Sequence, residues 1–460
     1  MNDLLQRLAA LCLTASLSPD IAAAAATTSA APAPLAFVHV NVVPMDRERV
    51  LRDQTVIVGG NRIIALGAAI EPPAGAVVID GRGTAYLAPG LADMHTHSDS
   101  ARDMALYLAH GVTTVLNMGE ASNEFLAQVR PAIERGEKPG PHVHAAFLVD
   151  GSPRYGHFTV TNAAEARAIV RLAKTNGYEF IKVYNNLSAP AFKALVDEGR
   201  RRGLPIVGHG VTAVGIERQL DAGQLMVAHT EEFLYTCLLQ PRPGRTDPVP
   251  DETRIPRAIA AVLRNNAFVT ADIYTYATIA RQWGKPEVVE QFLHADAARY
   301  VSPDRRLSWR HAGYAERTGS LDDNLAFLRR FTKAMSDAGV ALVAGTDAPT
   351  IPGLVPGESL HDDLAALTQA GLSRFQALAT ATRTPGLLLH RVAPTAIESG
   401  TVGIGRRADL VLSERNPLDD LSTLRRPLGV MVDGRWHDAT ELRTTLAAIA
   451  ADYADAGATP

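Results

Sequence analysis

Pro89-Gly90-Leu91-Ala92-Asp93-Met94-His95-Thr96-His97 is an apolar run that closes on two histidines spaced two residues apart. Alternate residues of a strand share one face, so both imidazoles can bind the same cation. In a chain with 14 histidines, one such pair is weak evidence. Its position at the end of an apolar strand is what predicts that His95 and His97 are metal ligands.

From this stretch onward, short apolar strands alternate with helical patterns such as 163–176 and 189–202. Eight strands are predicted, at 91–95, 112–117, 142–147, 180–184, 205–209, 225–229, 267–273 and 341–345. Eight parallel strands with helices between them predict an α/β fold, the (β/α)8 TIM barrel, whose catalytic groups lie at the carboxyl ends of the strands.

Both ends of the chain instead show short β-branched stretches separated by turn residues. Strands are predicted at 37–43, 55–58, 62–66, 77–79, 401–412 and 429–432. We expect them to join as one small β-sandwich built from both chain ends. The predicted organisation is a signal peptide and linker (1–34), sandwich (35–88), metal-binding barrel (89–395), sandwich (396–445) and a tail (446–460), whose last residues, 447–460, read as a fraying helix.

The composition excludes several classes of protein. A net charge of −4 gives no reason to expect nucleic acid or an anionic membrane as partner, and leaves a small-molecule substrate. Homo-oligomerisation stays open. Only Cys12 and Cys237 are present, so a disulfide framework or a thiolate metal site is not expected.

The first residues predict export. Arg7 precedes an apolar stretch at 8–17, and an alanine run at 22–26 supplies a small-residue cleavage site. This order is typical of a secretory signal, and it predicts a periplasmic protein. The alternative is a disordered extension rich in alanine and proline.

Lys182, in Ile-Lys-Val-Tyr, is unusual because a charged ammonium inside an apolar strand is costly unless it is paired. One interpretation is an ion pair with a carboxylate in the barrel mouth. The other is a lysine converted by CO₂ to a carbamate that bridges two divalent ions. Desolvation favours the second interpretation, since it lowers the pKa of the amine that reacts.

His209 and His229 close two successive strands, and Asp347 follows a third. Either histidine alone could be a core residue, and Asp347, near Pro349, could be a helix N-cap. Both histidines at successive strand ends favour ligation of a second metal. Asp347 can supply the carboxylate that orients and deprotonates a metal-bound water. The pair His142 and His144 lies at the start of a strand and is interpreted as structural.

The ordered set of Pro-Gly-Leu-Ala-Asp-Met-His-Thr-His, the strand-4 lysine, the two later histidines, Gly-Thr-Asp and Gly-Arg-Arg-Ala-Asp-Leu-Val resembles the metal-dependent amidohydrolase superfamily over residues 36–445. The segments 357–364 and 370–373 are most similar to its prolidase-like branch, which includes Xaa-Pro dipeptidases, N-acyl-amino-acid hydrolases and ochratoxin-type amidases. Two departures matter. Thr230-Glu231-Glu232 stands where that branch has glycine, and His209-Gly-Val-Thr lacks the His-x-x-Glu of deaminases.

The resemblance implies a binuclear centre, usually zinc, with His95, His97 and Asp347 on one ion, His209 and His229 on the other, and carboxylated Lys182 as the bridge. It implies cleavage of an amide bond in a small peptide-like or N-acyl-amino-acid substrate by a metal-bridging hydroxide, with Asp347 as proton acceptor. The alternatives are an ester, lactone or carbamate as the bond cleaved, or a non-catalytic scaffold. Retention of all six ligands disfavours the scaffold.

Substrate contacts are predicted in loops on the catalytic face. Candidate donors to the oxyanion are Tyr155, His157, Tyr235 and Tyr274. The long connections 233–266 and 274–338 are expected to form the substrate wall, with Tyr274 and Tyr276 entering it. Glu231 and Glu232 could hold a substrate amine, although an exposed acidic pair is usually only solvated.

Overall fold

The computed structural model describes residues 33–155, 157–241 and 248–456. The predicted signal peptide lies outside these residues except for its last two positions. In the part of the chain that is described, no helix is both long and apolar enough to cross a bilayer.

Five strands open the described chain, and they are β1 (Leu35–Val42), β2 (Leu51–Gly59), β3 (Arg62–Gly67), β4 (Val77–Asp80) and β5 (Tyr86–Pro89). The first three pair as antiparallel neighbours, and β4 and β5 both run parallel to β1. Phe37 and Leu87 point into a hydrophobic cluster that belongs to this sheet alone.

Eleven strands follow: β6 (Leu91–Thr96), β7 (Val112–Asn117), β8 (His142–Asp150), β9 (Phe158–Thr159), β10 (Phe180–Val183), β11 (Ile206–Gly208), β12 (Met226–Val227), β13 (Leu239–Gln240), β14 (Val249–Pro250), β15 (Phe268–Thr270) and β16 (Ala341–Val343). Eight of them form the parallel barrel in the order β6-β7-β8-β10-β11-β12-β15-β16. Main-chain bonds from Met94 N to Ala344 O (2.9 Å) and from His97 N to Ala348 O (2.8 Å) join the first strand to the last.

The chain then returns to the first sheet through β17 (Leu410–Ser413), β18 (Gly429–Val432) and β19 (Arg435–Asp438). Because β17 pairs with β5, both chain ends lie in one eight-stranded sheet. The predicted fold class is confirmed. The strand predicted at 401–412 is wrong before Leu410, since Gly405 takes a left-handed φ of 83° in a turn that precedes the strand.

Within the described ranges, fifteen α-helices accompany the strands: α1 (Ala101–Ala109), α2 (Arg130–Glu134), α3 (Ala163–Thr175), α4 (Ala189–Arg202), α5 (Ile216–Ala222), α6 (Glu231–Phe233), α7 (Ile255–Arg264), α8 (Ile273–Gln282), α9 (Pro286–Leu293), α10 (Pro303–Arg310), α11 (Asp322–Asp337), α12 (Glu358–Gln369), α13 (Arg374–Thr380), α14 (Arg383–Val392) and α15 (Ala439–Ala456). Helix α4 shows why the boundaries fall where they do. Ser188 caps its first turn by accepting from Ala191 N, and Gly203 ends it at a φ of 66°. The tail predicted from 447 onward is helical from Ala439.

Side chains that point inward fill the barrel. Met94, Leu116, Phe180 and Val343 are fully buried in this interior cluster. Lys182 lies two residues beyond Phe180, so it shares the inward face of β10 and stands above the apolar filling. The fold therefore places the Lys182 side chain at the base of the barrel mouth, the opening at the carboxyl ends of the strands.

Candidate metal centre

The ends of β6 and β16 bring three of the predicted ligands together. Oδ1 of Asp347 lies 2.9 Å from Nε2 of His97 and 3.3 Å from Nε2 of His95. Burial opposes the ionisation of Asp347, but the hydrogen bond from His97 holds the pKa of this carboxyl well below its usual range. An ionised carboxylate between two imidazoles can supply three donor atoms to a divalent cation.

Lys182 reaches the same place from β10. Its side chain is buried, and its Nζ lies 2.9 Å from Nε2 of His95. Burial lowers the pKa of the Lys182 amine to about 8, although the carboxylates of Asp347 and Asp272 oppose that shift. The amine is therefore more often neutral at physiological pH than an exposed lysine would be.

His209 follows β11 and is oriented by Glu232, from α6. Nδ1 of His209 lies 2.7 Å from Oε1 of Glu232, whose other oxygen accepts from Gly210 N at 2.9 Å. Burial lowers the pKa of His209 to about 4. The neutral imidazole with its Nδ1 side held by a carboxylate is the form that can donate its other nitrogen to a metal.

His229 follows β12 and is held in the same way from a different strand. It donates from Nδ1 to Asp272, which lies two residues after the end of β15 and is fully buried. Burial alone would lower the pKa of His229, but Asp272 and Glu231 raise it to about 10. The ring of His229 lies 4.3 Å from that of His95 and 5.0 Å from that of His209.

Two of these ligands sit on strained backbone. Asp347 and His229 have φ values of 59° and 70°, in the left-handed region that non-glycine residues avoid. Such conformations persist only where the surrounding structure enforces them, and they collect at functional sites. His229 follows β12 and Asp347 follows β16, so both strained residues lie in the segments at the carboxyl ends of barrel strands.

Asp93 ties the first and last barrel strands together beneath the ligands. Its Oδ1 accepts from the main-chain N of His95 at 3.2 Å and of Thr346 at 3.1 Å, and its Oδ2 accepts from Thr346 Oγ1 at 2.7 Å. Its side chain is fully buried. One carboxylate is thus bonded to His95, a predicted ligand at the end of β6, and to Thr346, the residue before Asp347.

The donor set fits divalent ions. Single donor atoms of His95, His97 and Asp347 lie within 4.8 Å of one another, as do those of His95, His229 and Asp272. Imidazole and carboxylate donors at this spacing suit zinc and similar metals. Asp272 contacts Nδ1 of His229 and so orients that imidazole. His209 is the fourth predicted histidine ligand at the mouth.

The predicted substrate contacts lie at different depths. Tyr155 and His157 have their rings 5.3 Å and 5.0 Å from that of Tyr184, which follows β10 and lies 4.1 Å from the ring of His209. Tyr235 is 54% exposed in a π-helical turn after α6. Tyr184 was not among the predicted contacts, although it directly follows the strand of Lys182.

The two tyrosines of α8, Tyr274 and Tyr276, lie in different surroundings. Tyr274 is half-buried and its main-chain N donates to Asp363, while Tyr276 is 2% exposed and its hydroxyl accepts from Asn324 at 3.4 Å. Tyr276 therefore belongs to the core and not to an open wall, because the helix begins at Ile273 and turns it inward. Tyr274 as a substrate contact stays a prediction.

The acidic pair after His229 is not exposed. Glu231 and Glu232 are 8% and 3% exposed, so the expectation that they are merely solvated is wrong. Helix α6 begins at Glu231, and both glutamates lie beside predicted ligands, Glu232 at 2.7 Å from Nδ1 of His209 and Glu231 at 3.9 Å from Nδ1 of His229. Acidic residues shortly after a strand, such as Asp272 after β15, were the signal that could have identified these partners.

His142 and His144 lie at the opposite end of the barrel. His142 pairs with Asp409 at 3.2 Å and His144 with Glu179 at 3.2 Å. Neither reaches the mouth, which agrees with their interpretation as structural residues.

A TIM barrel with four imidazoles, a buried lysine and an aspartate at its strand ends defines a class, the metal-dependent hydrolases of this fold. The family model described as Amidohydrolase family matches residues 86–437. The chain belongs to the amidohydrolase family and is a metal-dependent hydrolase. The predicted family is thereby confirmed.

Solved structures agree with this assignment. A bottromycin amidohydrolase is similar with a TM-score of 0.69 at 24% identity, over 91% of this chain and 90% of that one. A Xaa-Pro dipeptidase with bound methionine gives 0.67 at 19% identity, over 88% and 100%. The A. niger ochratoxinase gives 0.61 at 18% identity, over 88% and 96%. Among curated proteins, none matches the chain significantly.

Proposed function

We propose that this hydrolase cleaves an amide bond in a small peptide-like or N-acyl-amino-acid substrate and uses two divalent ions, zinc being the expected metal. The observation that carries the proposal is the convergence of six donor side chains at one barrel mouth. Oδ1 of Asp347, Nε2 of His95 and Nζ of Lys182 form a continuous chain of contacts at 3.3 Å and 2.9 Å. Structures similar to this one are named an amidohydrolase and a Xaa-Pro dipeptidase, which favours an amide over an ester.

His95, His97 and Asp347 would hold one ion and His209 and His229 the other, with Lys182 between them as a carbamate. Bound divalent ions supply a nucleophile from water near neutral pH and polarise the scissile carbonyl. The carboxylates of Glu232 and Asp272 hold the Nδ1 sides of His209 and His229, so that the opposite nitrogens face the mouth.

Lys182 is suited to carbamate formation. The reaction joins the neutral amine nitrogen to the carbon of CO₂ and releases one proton. Burial lowers the amine pKa to about 8, which increases the neutral fraction, and the apolar strand shields the product from water. The resulting anion replaces an ammonium that has no carboxylate in direct contact among the described residues.

Asp347 is the residue we assign to proton transfer. Its Oδ1 faces His95 and His97, and the hydrogen bond from His97 outweighs burial and lowers its pKa, so the carboxylate is ionised at neutral pH and has a free oxygen for a proton. It takes the proton from the attacking water and returns it to the nitrogen of the leaving amine, which is a poor leaving group without one.

Elemental analysis of the purified, fully active protein is the direct test of the binuclear assignment, and we expect two ions per chain. One ion or fewer per active chain would contradict it. Lysine carboxylation is tested by incorporation of ¹³C-labelled bicarbonate, read by NMR. A carbamate signal should appear in the parent protein and in a Lys193→Ala control, whose side chain is 75% exposed, and be absent from Lys182→Ala.

The bond cleaved is tested with paired substrates that differ only in the linkage. Xaa-Pro dipeptides, N-acyl amino acids and aryl amides are compared with their ester counterparts. We expect turnover of at least one amide series. Hydrolysis confined to esters, lactones or carbamates would replace the amide assignment by the alternative bond.

We propose further that the chain is exported to the periplasm. The support is the order of Arg7, the apolar stretch 8–17 and the alanine run 22–26. Fractionation of expressing cells with N-terminal sequencing of the product should find a shortened chain in the periplasm. A full-length protein that stays in the cytoplasm would overturn the export proposal.

A further inference from the structure

A cavity of ≈ 350 Å³ lies beside the metal centre, between the loop after β7 and the segment that contains His157 and Phe158. Its volume is at the lower end of that of small-molecule sites. Two of its wall residues connect it with the centre. Leu148 is the strand partner of Lys182, and the ring of His157 lies 5.0 Å from that of Tyr184, which packs on His209.

The inner wall of the cavity is aromatic. The ring of Phe147 lies 4.9 Å from those of both Phe158 and Tyr178. Tyr178 donates its hydroxyl to the main-chain oxygen of Ala121 at 2.7 Å, so its ring is what faces the cavity. Such a wall favours the burial of an aromatic or branched aliphatic group.

The outer rim carries a charge that is already paired. Glu120 accepts from Arg305 of α10 at 3.1 Å, which links the loop after β7 to the long connection 274–338. A carboxylate that is already paired does not favour a cationic ligand. The rim therefore leaves the preference of the cavity for an apolar group unchanged.

The loop after β7 packs closely against β8 at Gly119. Gly119 has a φ of 145°, and a Cβ there would lie 2.6 Å from Cδ2 of Leu148. Only glycine allows the loop to pack this tightly onto β8. The cavity next to it is therefore a built feature of the fold and not a gap between mobile loops.

We propose that this cavity binds an aromatic or bulky aliphatic group attached to the scissile amide, and that it sets the substrate class of the enzyme. The inference rests on the proposed function. It moves the apolar specificity pocket to the β7–β8 side of the mouth, whereas the sequence indicated the connections after β12 and β15.

Filling the cavity tests the proposal. Asn123 lines it, is exposed, and contacts Tyr178 only at 3.5 Å, so Asn123→Phe narrows the cavity with little other change. The matched control is Glu124→Phe, one residue further along, at an exposed position outside the cavity. Phe158→Ala is the opposite change, since it widens the cavity.

Two amide series are used, one varying the acyl group from acetyl to naphthylacetyl, the other varying the amine from glycine to tryptophan. In the series whose group enters the cavity, Asn123→Phe should lower kcat/KM for the bulky members roughly tenfold and leave the small members unchanged. Phe158→Ala should shift the preference toward larger groups, and Glu124→Phe should follow the parent protein. If the size dependence in both series is identical in the parent protein and in Asn123→Phe, the proposal is overturned.

Failure of the proposed function is distinguishable. If no amide is cleaved, binding of neutral 2-naphthylacetamide to the metal-loaded protein is measured by calorimetry. Binding that weakens about tenfold in Asn123→Phe but not in Glu124→Phe supports the cavity assignment even then. Binding that is absent, or equal in both variants, overturns it.

Discussion

The first half of the site contains His95, His97 and Asp347, and main-chain hydrogen bonds join the segments that carry them. The second half contains His209 and His229, whose orientation depends on carboxylates from other elements. In the first half, Asp347 N donates to His95 O at 2.7 Å and Asp93 fastens the same two strands from below. In the second half, Glu232 and Asp272 each engage one Nδ1. The first half therefore shares the hydrogen bonds that close the barrel, whereas the orientation of the second half depends on two single side chains.

This difference separates two kinds of damage. Loss of the Asp93 carboxylate beneath the first half disturbs the hydrogen bonds that close the barrel, so stability and metal binding should be lost together. A change in the carboxylates of the second half leaves the main chain intact, so metal affinity should fall while the fold is kept. The predictions below test this separation.

The largest effect is expected at the residue assigned to proton transfer. Asp347→Asn keeps the volume but removes the proton acceptor, so kcat should fall by at least about 10²-fold. Steady-state kinetics with metal content measured in parallel is the check. Near-normal turnover with both metals bound would move the proton-transfer role to another residue.

The second effect concerns the orienting carboxylates. Asp272→Asn and Glu232→Gln should each weaken metal affinity or activity by about 10–100-fold, with unchanged circular dichroism. Glu179→Gln is the matched control, because Glu179 pairs with His144 at 3.2 Å at the other end of the barrel. Equal losses in all three variants would show that the effect is not local to the metal centre.

The carboxylate that closes the barrel should act on stability. Asp93→Asn replaces an acceptor oxygen with a donor facing buried donors, so the free energy of unfolding should fall by about 1–3 kcal/mol. Denaturant unfolding of chelated protein measures it without a contribution from metal binding. If Asp93→Asn is as stable as the parent protein and loses only metal affinity, the two halves do not differ in their contribution to fold stability.

The smallest effect is expected outside both halves. Tyr274 lies half-buried at the start of α8, and Tyr274→Ala should alter relative kcat/KM across a substrate panel by a few-fold while both metals remain bound. A uniform fall for every substrate, or no change, would assign this residue to packing.

The difference between the halves also explains what the sequence could predict. His95 and His97 share one contiguous motif, and each later ligand except Lys182 closes or follows an apolar run. The barrel and the gathering of these residues therefore follow from strand periodicity and strand ends, whereas Lys182 is identified by its charge inside an apolar strand. Asp272 and Glu232 were missed as orienting residues because their roles depend on pairs formed between separate strands and helices. Tyr276 was misplaced because nothing in its local pattern tells where α8 begins.

The left-handed backbone at Asp347 and His229 has a consequence for laboratory evolution. Such a conformation costs a non-glycine residue on the order of 1 kcal/mol, and glycine adopts it freely. Glycine at either position would therefore relieve the backbone strain but remove a predicted metal ligand. A thermostability screen of metal-free protein should accept substitutions at these positions that a screen of metal-loaded protein rejects. Directed evolution of this chain therefore needs divalent metal and a turnover step in every round.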